Sequence, residues 1–366
     1  MGKPEKPKVK TKPEQQEELP WDLFDRCLLP VIFSHAAAVI LSTILNVLYI
    51  SQVSSFTLFL LFLIFSVAGV VFYHTLKVSA AGKCVLVTSC DSKIGIALVK
   101  QLDELGFTVF AGFAKKNEES NNLKELCSGR VHIIELDVTS DRSVKAVVEY
   151  IKSNLPEGST GLWALVNSAH CAAFGEVEWV PLAVYKEAAE VNLLSVIRVT
   201  QAFLPLIRKT RGRVINIVSI LGRVPSAIRS PYCSMKFGVE AFSDCLRLEM
   251  RRWGVDVVVV EPGDYTTGNV WFDDHKLMQD ARNMWRQMTD EAKQDYGKDY
   301  FEFQVRSLER YTKGPETDLI PVIRSLTDAV SRSFPLSRYT PVTRSEKIQA
   351  FVSDHLPRSV YEILYT

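Results

Sequence analysis

The sequence has almost no net charge: 43 lysines and arginines stand against 42 aspartates and glutamates, leaving +1. So balanced a chain projects no long-range field of one sign, and no nucleic-acid partner is expected. It has no Cys-x-x-Cys pair either. Its seven cysteines, Cys27, Cys84, Cys90, Cys127, Cys171, Cys233 and Cys245, are odd in number and scattered, which argues against a disulfide framework and against a zinc site. The six histidines fall into no ligand spacing, so no metal is expected. Asn-x-Ser/Thr acceptors are missing as well, which agrees with a domain facing a reducing, cytosolic compartment.

Another absence is local. Residues 27–76, between Arg26 and Lys77, contain no Asp, Glu, Lys or Arg, and a spanning helix needs only about 20 apolar residues. Two spans fit, near Leu28 to Ile50 and Phe56 to Tyr73, with Ser51 to Ser55 as the turn of a helical hairpin. Six basic residues from Lys3 to Arg26 precede it, and Lys77 and Lys83 follow, so the positive-inside rule puts both flanks in the cytoplasm. Residues 1–26 read as a charged, disordered tail and 27–78 as a membrane anchor. The competing reading, a hairpin buried in a soluble core, is disfavoured because two adjacent segments of this length are hard to bury. The run starts too late for a cleaved signal peptide, and Glu14, Glu17, Glu18 and Asp22 disfavour a mitochondrial presequence. The endoplasmic reticulum is the expected membrane, with a mitochondrial membrane as the alternative.

From Lys83 onward, apolar β-branched runs alternate with helical patterns. The runs are 84–87, 107–111, 131–136, 163–166, 214–218 and 255–260, and their uniform apolarity predicts parallel strands covered on both faces. Helices are predicted over 94–105, 143–155 and 232–253, the first and last stopping at Gly106 and Gly254. The expected fold is α/β, a doubly wound parallel sheet of Rossmann type filling 83–366 as one domain behind the transmembrane hairpin.

Two places in that fold carry chemistry. The turn Thr88-Ser89-Cys90-Asp91-Ser92-Lys93-Ile94-Gly95 follows the first strand, where backbone N–H groups and a helix N-terminus meet a pyrophosphate. Further on, Tyr232 and Lys236 lie four apart on one helix face, and Ser219 ends the preceding strand. A cation held near a phenol favours the phenolate, which brings a tyrosine of reference pKa about 10 closer to neutrality as a general acid or base. Ser219 can donate to a substrate oxygen.

Ser219 with Tyr232-x-x-x-Lys236 resembles the site of the short-chain dehydrogenase/reductase family. Asn167-Ser168-Ala169-His170, Asn192, and Pro262-Gly263 with Thr267 match further motifs of that family in order. Arg229-Ser230-Pro231-Tyr232, Lys236 to Asp244, Phe174 to Glu178 and Phe203 to Leu206 are similar to the branch with the 3-hydroxybutyrate, retinol and 11β- or 17β-hydroxysteroid dehydrogenases. The resemblance implies that Tyr232 exchanges the proton at the substrate oxygen, that Lys236 lowers its pKa and holds a nicotinamide ribose, that Ser219 orients the substrate, and that Asn192 keeps a water for proton relay. It implies NAD or NADP, with NAD used by most of the branch. Thr88, Ser89, Asp91, Ser92, Lys93, Ile94, Gly95, Asp137, Val138, Asn167, Ala169, Pro262, Gly263 and Thr267 would hold the cofactor beside Tyr232 and Lys236. A homodimer formed through the helices after Val191 and Tyr232 is implied too.

Three positions depart from the family. Ser89 and Lys93 replace two glycines of its Thr-Gly-x-x-x-Gly-x-Gly turn, and His170 replaces the glycine of Asn-Asn-Ala-Gly. If position 89 needs φ > 0, a serine there costs roughly 1 kcal/mol or more. The second strand also ends without the acid that would bind an NAD ribose, and Lys115 and Lys116 can either accept a 2′-phosphate or form a solvated corner. From about residue 264, Tyr265, Trp271, Phe272, Met278, Met284, Trp285 and Met288 occupy the place of the family's substrate lid, or else pack a peripheral helix. Together with the anchor, such a lid makes a steroid, retinoid or other apolar lipid alcohol or ketone the expected substrate. A small hydroxy acid, or a silent relative that only binds a ligand, is the alternative.

Overall fold

The structure is a computed structural model that describes residues 21–263, 274–308 and 318–365. The chain divides into two compact units, one within residues 1–75 and one within residues 76–366.

In the first unit, helix α1 (Trp21–Val47) and helix α2 (Ser55–Thr75) pack as a hairpin. Cys27–Val47 and the whole of α2 are long and apolar enough to cross a membrane. Leu28, Ile32, Phe33, Ile64 and Phe65 are exposed, as residues facing lipid would be. Polar atoms are used between the helices: Ser34 and Ser66 share a hydrogen bond of 3.1 Å, and Ser42 donates to the Val53 carbonyl at 2.9 Å. Helix α1 stops at Val47 rather than Ile50. Tyr49 turns left-handed (φ 55), and the Ile50 N–H returns to the Leu45 carbonyl at 3.0 Å, which closes the helix end.

The second unit is built on seven parallel strands: β1 (Cys84–Val87), β2 (Thr108–Phe113), β3 (Val131–Glu135), β4 (Ala164–Asn167), β5 (Arg213–Ile217), β6 (Asp256–Val260) and β7 (Arg338–Tyr339). Their order is β3-β2-β1-β4-β5-β6-β7. Strand order reverses between β1 and β4, and at that switch point the carboxyl ends of the strands leave a crevice for a ligand. The six longer strands fall within two residues of the runs read from sequence. The seventh has no apolar pattern of its own and is held by pairing with β6.

Helices α3 (Lys93–Glu104), α4 (Glu118–Leu126), α5 (Asp141–Ser153), α7 (Ser195–Thr210) and α8 (Ser230–Met250) alternate with the strands. Two apolar cores lie on opposite faces of the sheet, one around Leu98, Leu102 and Phe113, the other around Phe110, Ile151 and Phe203. The stretch Leu182–Thr210 is also long and apolar enough to cross a membrane. Its Val196, Val199, Phe203, Leu206 and Ile207 are buried within this unit, so that apolarity belongs to the core.

Residues entering this unit are tied to its lower edge, where the strands begin. The Val78 N–H donates to the Ser331 carbonyl at 2.7 Å, and the Ser333 N–H donates to the Leu76 carbonyl at 2.9 Å. At the opposite edge, the helices over 344–355 and 358–365 border the crevice.

Candidate active site

The turn after β1 is fixed by its own backbone. Ser89 has φ 52, the left-handed region that favours glycine, so this serine holds a conformation strained for its type. Gly95 has no room for a side chain: a Cβ there would lie 2.8 Å from the Cys90 Cα and 3.0 Å from the Ser89 carbonyl oxygen. Ser92 caps α3 by accepting the Gly95 N–H at 3.1 Å. Cys90 donates its N–H to the Gly112 carbonyl at 2.7 Å, Asp91 accepts the Ala114 N–H at 3.0 Å, and Thr88 Oγ1 accepts the Ser168 N–H at 2.9 Å. Asp91 and Thr88 thereby brace the turn against the ends of β2 and β4. Lys93 is the first residue of α3, half-buried, and its ammonium adds to the positive end of the helix dipole. A left-handed residue at 89, a side-chain-free 95 and the helix N-terminus that begins at Lys93 fit the pyrophosphate of a dinucleotide despite the two lost glycines.

The other cofactor candidates divide. Ala169 lies buried after β4, and Val138 lies buried after β3, its carbonyl accepting from Arg198 at 3.0 Å. Asp137 is exposed and closes a local turn, accepting the Thr139 N–H at 2.9 Å and the Thr139 hydroxyl at 2.6 Å. Asn167 points into the core. Its amide donates to Thr200 Oγ1 at 3.1 Å and to Asn216 Oδ1 at 2.8 Å, and Asn216 donates onward to Ser243 at 2.8 Å. This buried chain joins β4, α7, β5 and α8, so only the backbone at 167 is available to a ligand. Pro262 is buried, and its carbonyl accepts the Ile220 N–H at 3.0 Å. At Gly263 a Cβ would fall 2.5 Å from the Glu346 carboxylate. Thr267, Tyr265, Trp271 and Phe272 lie outside the described residues.

Ser219, Tyr232 and Lys236 converge. Ser219 follows β5 and caps the short helical turn Ile220–Gly222, its Oγ accepting the Leu221 N–H at 3.2 Å. Tyr232 is the third residue of α8, with Pro231 fixing the first turn, and it lines the same cavity as Ser219. Lys236, one turn on, is 1% exposed and donates to the Ile217 carbonyl at 3.2 Å.

The electrostatics differ from the sequence expectation. Burial raises the Tyr232 phenol well above its ordinary value, outweighing the opposing effects of Ser219 and of the positive charge of Arg229. Lys236 packs against that phenol ring. Its ammonium stands over the ring, 5.5 Å from the centroid, and burial lowers its own pKa to about 8. His170, with Nδ1 2.9 Å from the Ser168 carbonyl, is pushed down to about 4 by burial and by Lys236.

Asn192 is buried in a π-helical turn, Glu190–Leu194, between α6 (Leu182–Ala189) and α7. The extra residue in that turn re-aims the carboxamide. It donates to the Cys171 carbonyl at 3.0 Å and accepts the Cys171 N–H at 3.0 Å, which clamps the strand end that carries His170.

A cavity of about 2110 Å³ opens over this group, lined by Ser219 and Tyr232 with Phe174, Tyr296, Tyr300 and Tyr361 among others. Met284, Trp285 and Met288 do not line it. They pack with Trp179 and Phe301 in a satellite core, so the peripheral-packing reading holds for them. Met278, also outside the lining, is 37% exposed. Sequence reasoning missed a buried ionic cluster on the cavity wall. Glu261, 0% exposed, pairs with Arg338 and, at 2.6 Å, with Arg223; Arg338 reaches Glu240 at 2.8 Å, and Arg223 also pairs with Asp354. The available signal was an acid ending the otherwise apolar run 257–260.

The short chain dehydrogenase family matches residues 83–276. The chain belongs to that family. This short-chain dehydrogenase is 41% identical over 290 residues to the mitochondrial D-beta-hydroxybutyrate dehydrogenase of Rattus norvegicus, covering 78% of this chain and 84% of the relative. It is 37% identical over 259 residues to retinol dehydrogenase 7 of Mus musculus, covering 70% and 80%, and 34% identical over 271 residues to mouse estradiol 17-beta-dehydrogenase 2, covering 71% and 68%. A crystal structure of a short chain dehydrogenase from Burkholderia cenocepacia in complex with NADP has the same fold, at TM-score 0.57 and 18% identity, covering 79% of this chain and all of that one. The chain is an NAD(P)-dependent oxidoreductase acting on CH–OH groups, in the branch that holds hydroxybutyrate, retinol and steroid dehydrogenases.

Proposed function

We propose that this short-chain dehydrogenase is anchored to a membrane by its hairpin and interconverts a hydroxyl and a keto group on an apolar lipid alcohol of the steroid or retinoid kind. The observation that carries this reading is the set of aromatic side chains, Phe174, Tyr296, Tyr300 and Tyr361, that line the cavity together with Ser219 and Tyr232. Ser92, Lys93 and Ile94 at the start of α3 would hold the cofactor phosphates, with Ala169 and the Asn167 backbone beside the adenosine and Lys236 at the nicotinamide ribose. Bound there, the nicotinamide supplies or accepts the hydride. Tyr232, a protonated phenol at neutral pH, gives its proton to the developing alkoxide in reduction and takes it back in oxidation. Ser219 fixes the substrate oxygen against that phenol, and Asn192 keeps His170 and Cys171 in place.

NAD is the proposed cofactor, after the branch the chain resembles; exposed Lys115 and Lys116 after β2 keep NADP as the competing outcome. Exposed Leu194 and Phe237, on or beside α7 and α8, support a homodimer. The endoplasmic reticulum with a cytosolic domain is the proposed location, and a mitochondrial membrane is the alternative. Protease protection of residues 76–366 in intact microsomes would refute the cytosolic face.

A second reading is favoured by Arg229. It is 6% exposed and stacked 5.6 Å from the Phe174 ring centroid on the cavity wall, and it acts electrostatically on Tyr232, which suits a substrate carboxylate. The deciding experiment assays full-length protein in detergent with both cofactors on steroids, retinol, long-chain alcohols and 3-hydroxybutyrate, with Tyr232→Phe as control. Turnover of the small acid alone supports the second reading. No turnover, with no NADH or NADPH fluorescence response at millimolar concentration, would sink both.

A further inference from the structure

The edge of the sheet farthest from the cavity carries a feature that the dehydrogenase chemistry does not use. The C-terminus of α7 and the short turn Arg251–Trp253 after α8 meet there around an exposed tryptophan. Trp253 is 41% exposed and flanked by cations: the Arg208 guanidinium lies 4.6 Å and the Arg252 guanidinium 5.5 Å from its ring centroid. Arg211 is adjacent, its Cδ 3.6 Å from where a Cβ on Gly254 would be. Lys209 and Arg251 are exposed beside them, and Glu249 is the one exposed acid within the segments 208–211 and 248–254. Leu248, 67% exposed, adds an apolar edge.

Helix C-termini attract one or two cations through the dipole. Five cations around one exposed indole exceed that need. An amphipathic indole flanked by arginines is the side-chain set found at the headgroup level of a bilayer.

Chain continuity supplies the occupant. Leu76 follows Thr75, the last residue of α2, and Leu76 and Val78 are hydrogen-bonded to Ser333 and Ser331. Arg213, two residues after Arg211, sends its guanidinium to the carbonyls of Ala329 at 2.7 Å and Arg332 at 2.9 Å, and stacks 4.6 Å from the Trp163 ring centroid. Arg332 in turn bridges Lys77. The segment that leads out of the apolar hairpin and the basic patch therefore share one edge, joined through a buried arginine. A hollow of about 280 Å³ lined by Arg247, Arg251, Gly254 and Ser337 adjoins the patch.

We infer that this basic edge, centred on Trp253, docks on a bilayer surface bearing anionic phospholipid headgroups. The inference rests on the hairpin being a membrane anchor and extends it: the anchor sets proximity, and the patch sets which lipids hold the domain down. Each cation at such a surface changes the docked-to-undocked ratio by roughly fivefold, an effect that falls away within a Debye length of about 10 Å at 0.1 M salt.

The test uses the full chain in lipid nanodiscs of phosphatidylcholine, with or without about a third phosphatidylserine, carrying brominated acyl chains that quench nearby indoles. Subtracting the Trp253→Phe signal isolates Trp253. Quenching several-fold stronger with phosphatidylserine, reduced by 0.5 M NaCl and lost in Arg208→Gln/Arg211→Gln/Arg251→Gln/Arg252→Gln, is expected. Turnover of that variant in detergent should stay at the parent level. Equal quenching in both lipids, or none, overturns the proposal. A lipid-independent blue-shifted Trp253, the mark of a second protein copy covering the patch, overturns it as well. Failure of the chain to insert into nanodiscs refutes the anchor, and a salt-insensitive signal in inserted chain refutes the patch alone.

Discussion

Lys236 gives a sharp prediction because its functional role and its cost to the fold can be separated. Burial lowers its pKa from 10.5 to about 8. Between those values the unfolded chain holds a proton at this position that the folded chain has released, so stability rises as pH rises through the window. Below pH 8 the penalty is fully present and corresponds to about 3 kcal/mol. Lys236→Met removes it and keeps the volume. The change also removes the hydrogen bond to the Ile217 carbonyl, worth about 1 kcal/mol. The net expectation at pH 7 is a gain of about 2 kcal/mol, a rise in Tm of roughly 4 °C for a unit this large. At pH 9.5 the lysine penalty has fallen to about 1 kcal/mol, so the gain nearly vanishes. Thermal unfolding of both proteins in the same detergent, at one scan rate and without added cofactor, reads the difference. A lower Tm for Lys236→Met at pH 7, or the same difference at pH 7 and pH 9.5, would refute the reasoning. Turnover should be lost in the more stable protein.

Tyr232→Phe should lower turnover by 10²–10⁴-fold, the usual range for a positioned acid or base, while NADH titration by fluorescence stays within about twofold. Ser89→Gly relieves a left-handed serine and should raise stability by up to about 1 kcal/mol, seen in thermal unfolding, with cofactor affinity unchanged or tighter. Weaker NADH binding in that variant would show that the Ser89 side chain takes part in holding the cofactor. Glu261→Gln leaves Arg223 with Asp354 and Arg338 with Glu240 but replaces their shared buried carboxylate by a neutral amide, and should cost about 1–3 kcal/mol, measured by denaturant unfolding; near-parental stability would mean that the cluster is already hydrated.

The sheet was legible because strands covered on both faces must be apolar at every position, which leaves runs such as 84–87 and 255–260 plain in the sequence. Arg338–Tyr339 escaped because two residues form no pattern. The Ser219, Tyr232 and Lys236 group was legible because a fixed helical spacing carries it. Their electrostatics were not, since the position of the ammonium over the ring depends on how α8 lies against Ile217. Asn167 shows the same limit: a motif gives its place after β4, but the inward turn of its amide depends on Thr200 and Asn216 from other elements. Asn192 is re-aimed by a π-turn that no local composition announces, and the cluster around Glu261 draws its members from separated parts of the chain.

The ties from Leu76 and Val78 to the far end of the chain bear on how a soluble version should be cut. Lys83, where the family's own motifs begin, looks like the natural first residue of a truncated enzyme. Starting there would strip Ser331 and Ser333 of their backbone partners and remove Lys77 from beside Asp328, where the two now lie 3.8 Å apart. The freed strand-like edge would then be open to pairing with a neighbouring molecule, a route to aggregation in the test tube. A fragment beginning at Leu76 keeps that edge covered while leaving the greasy hairpin behind.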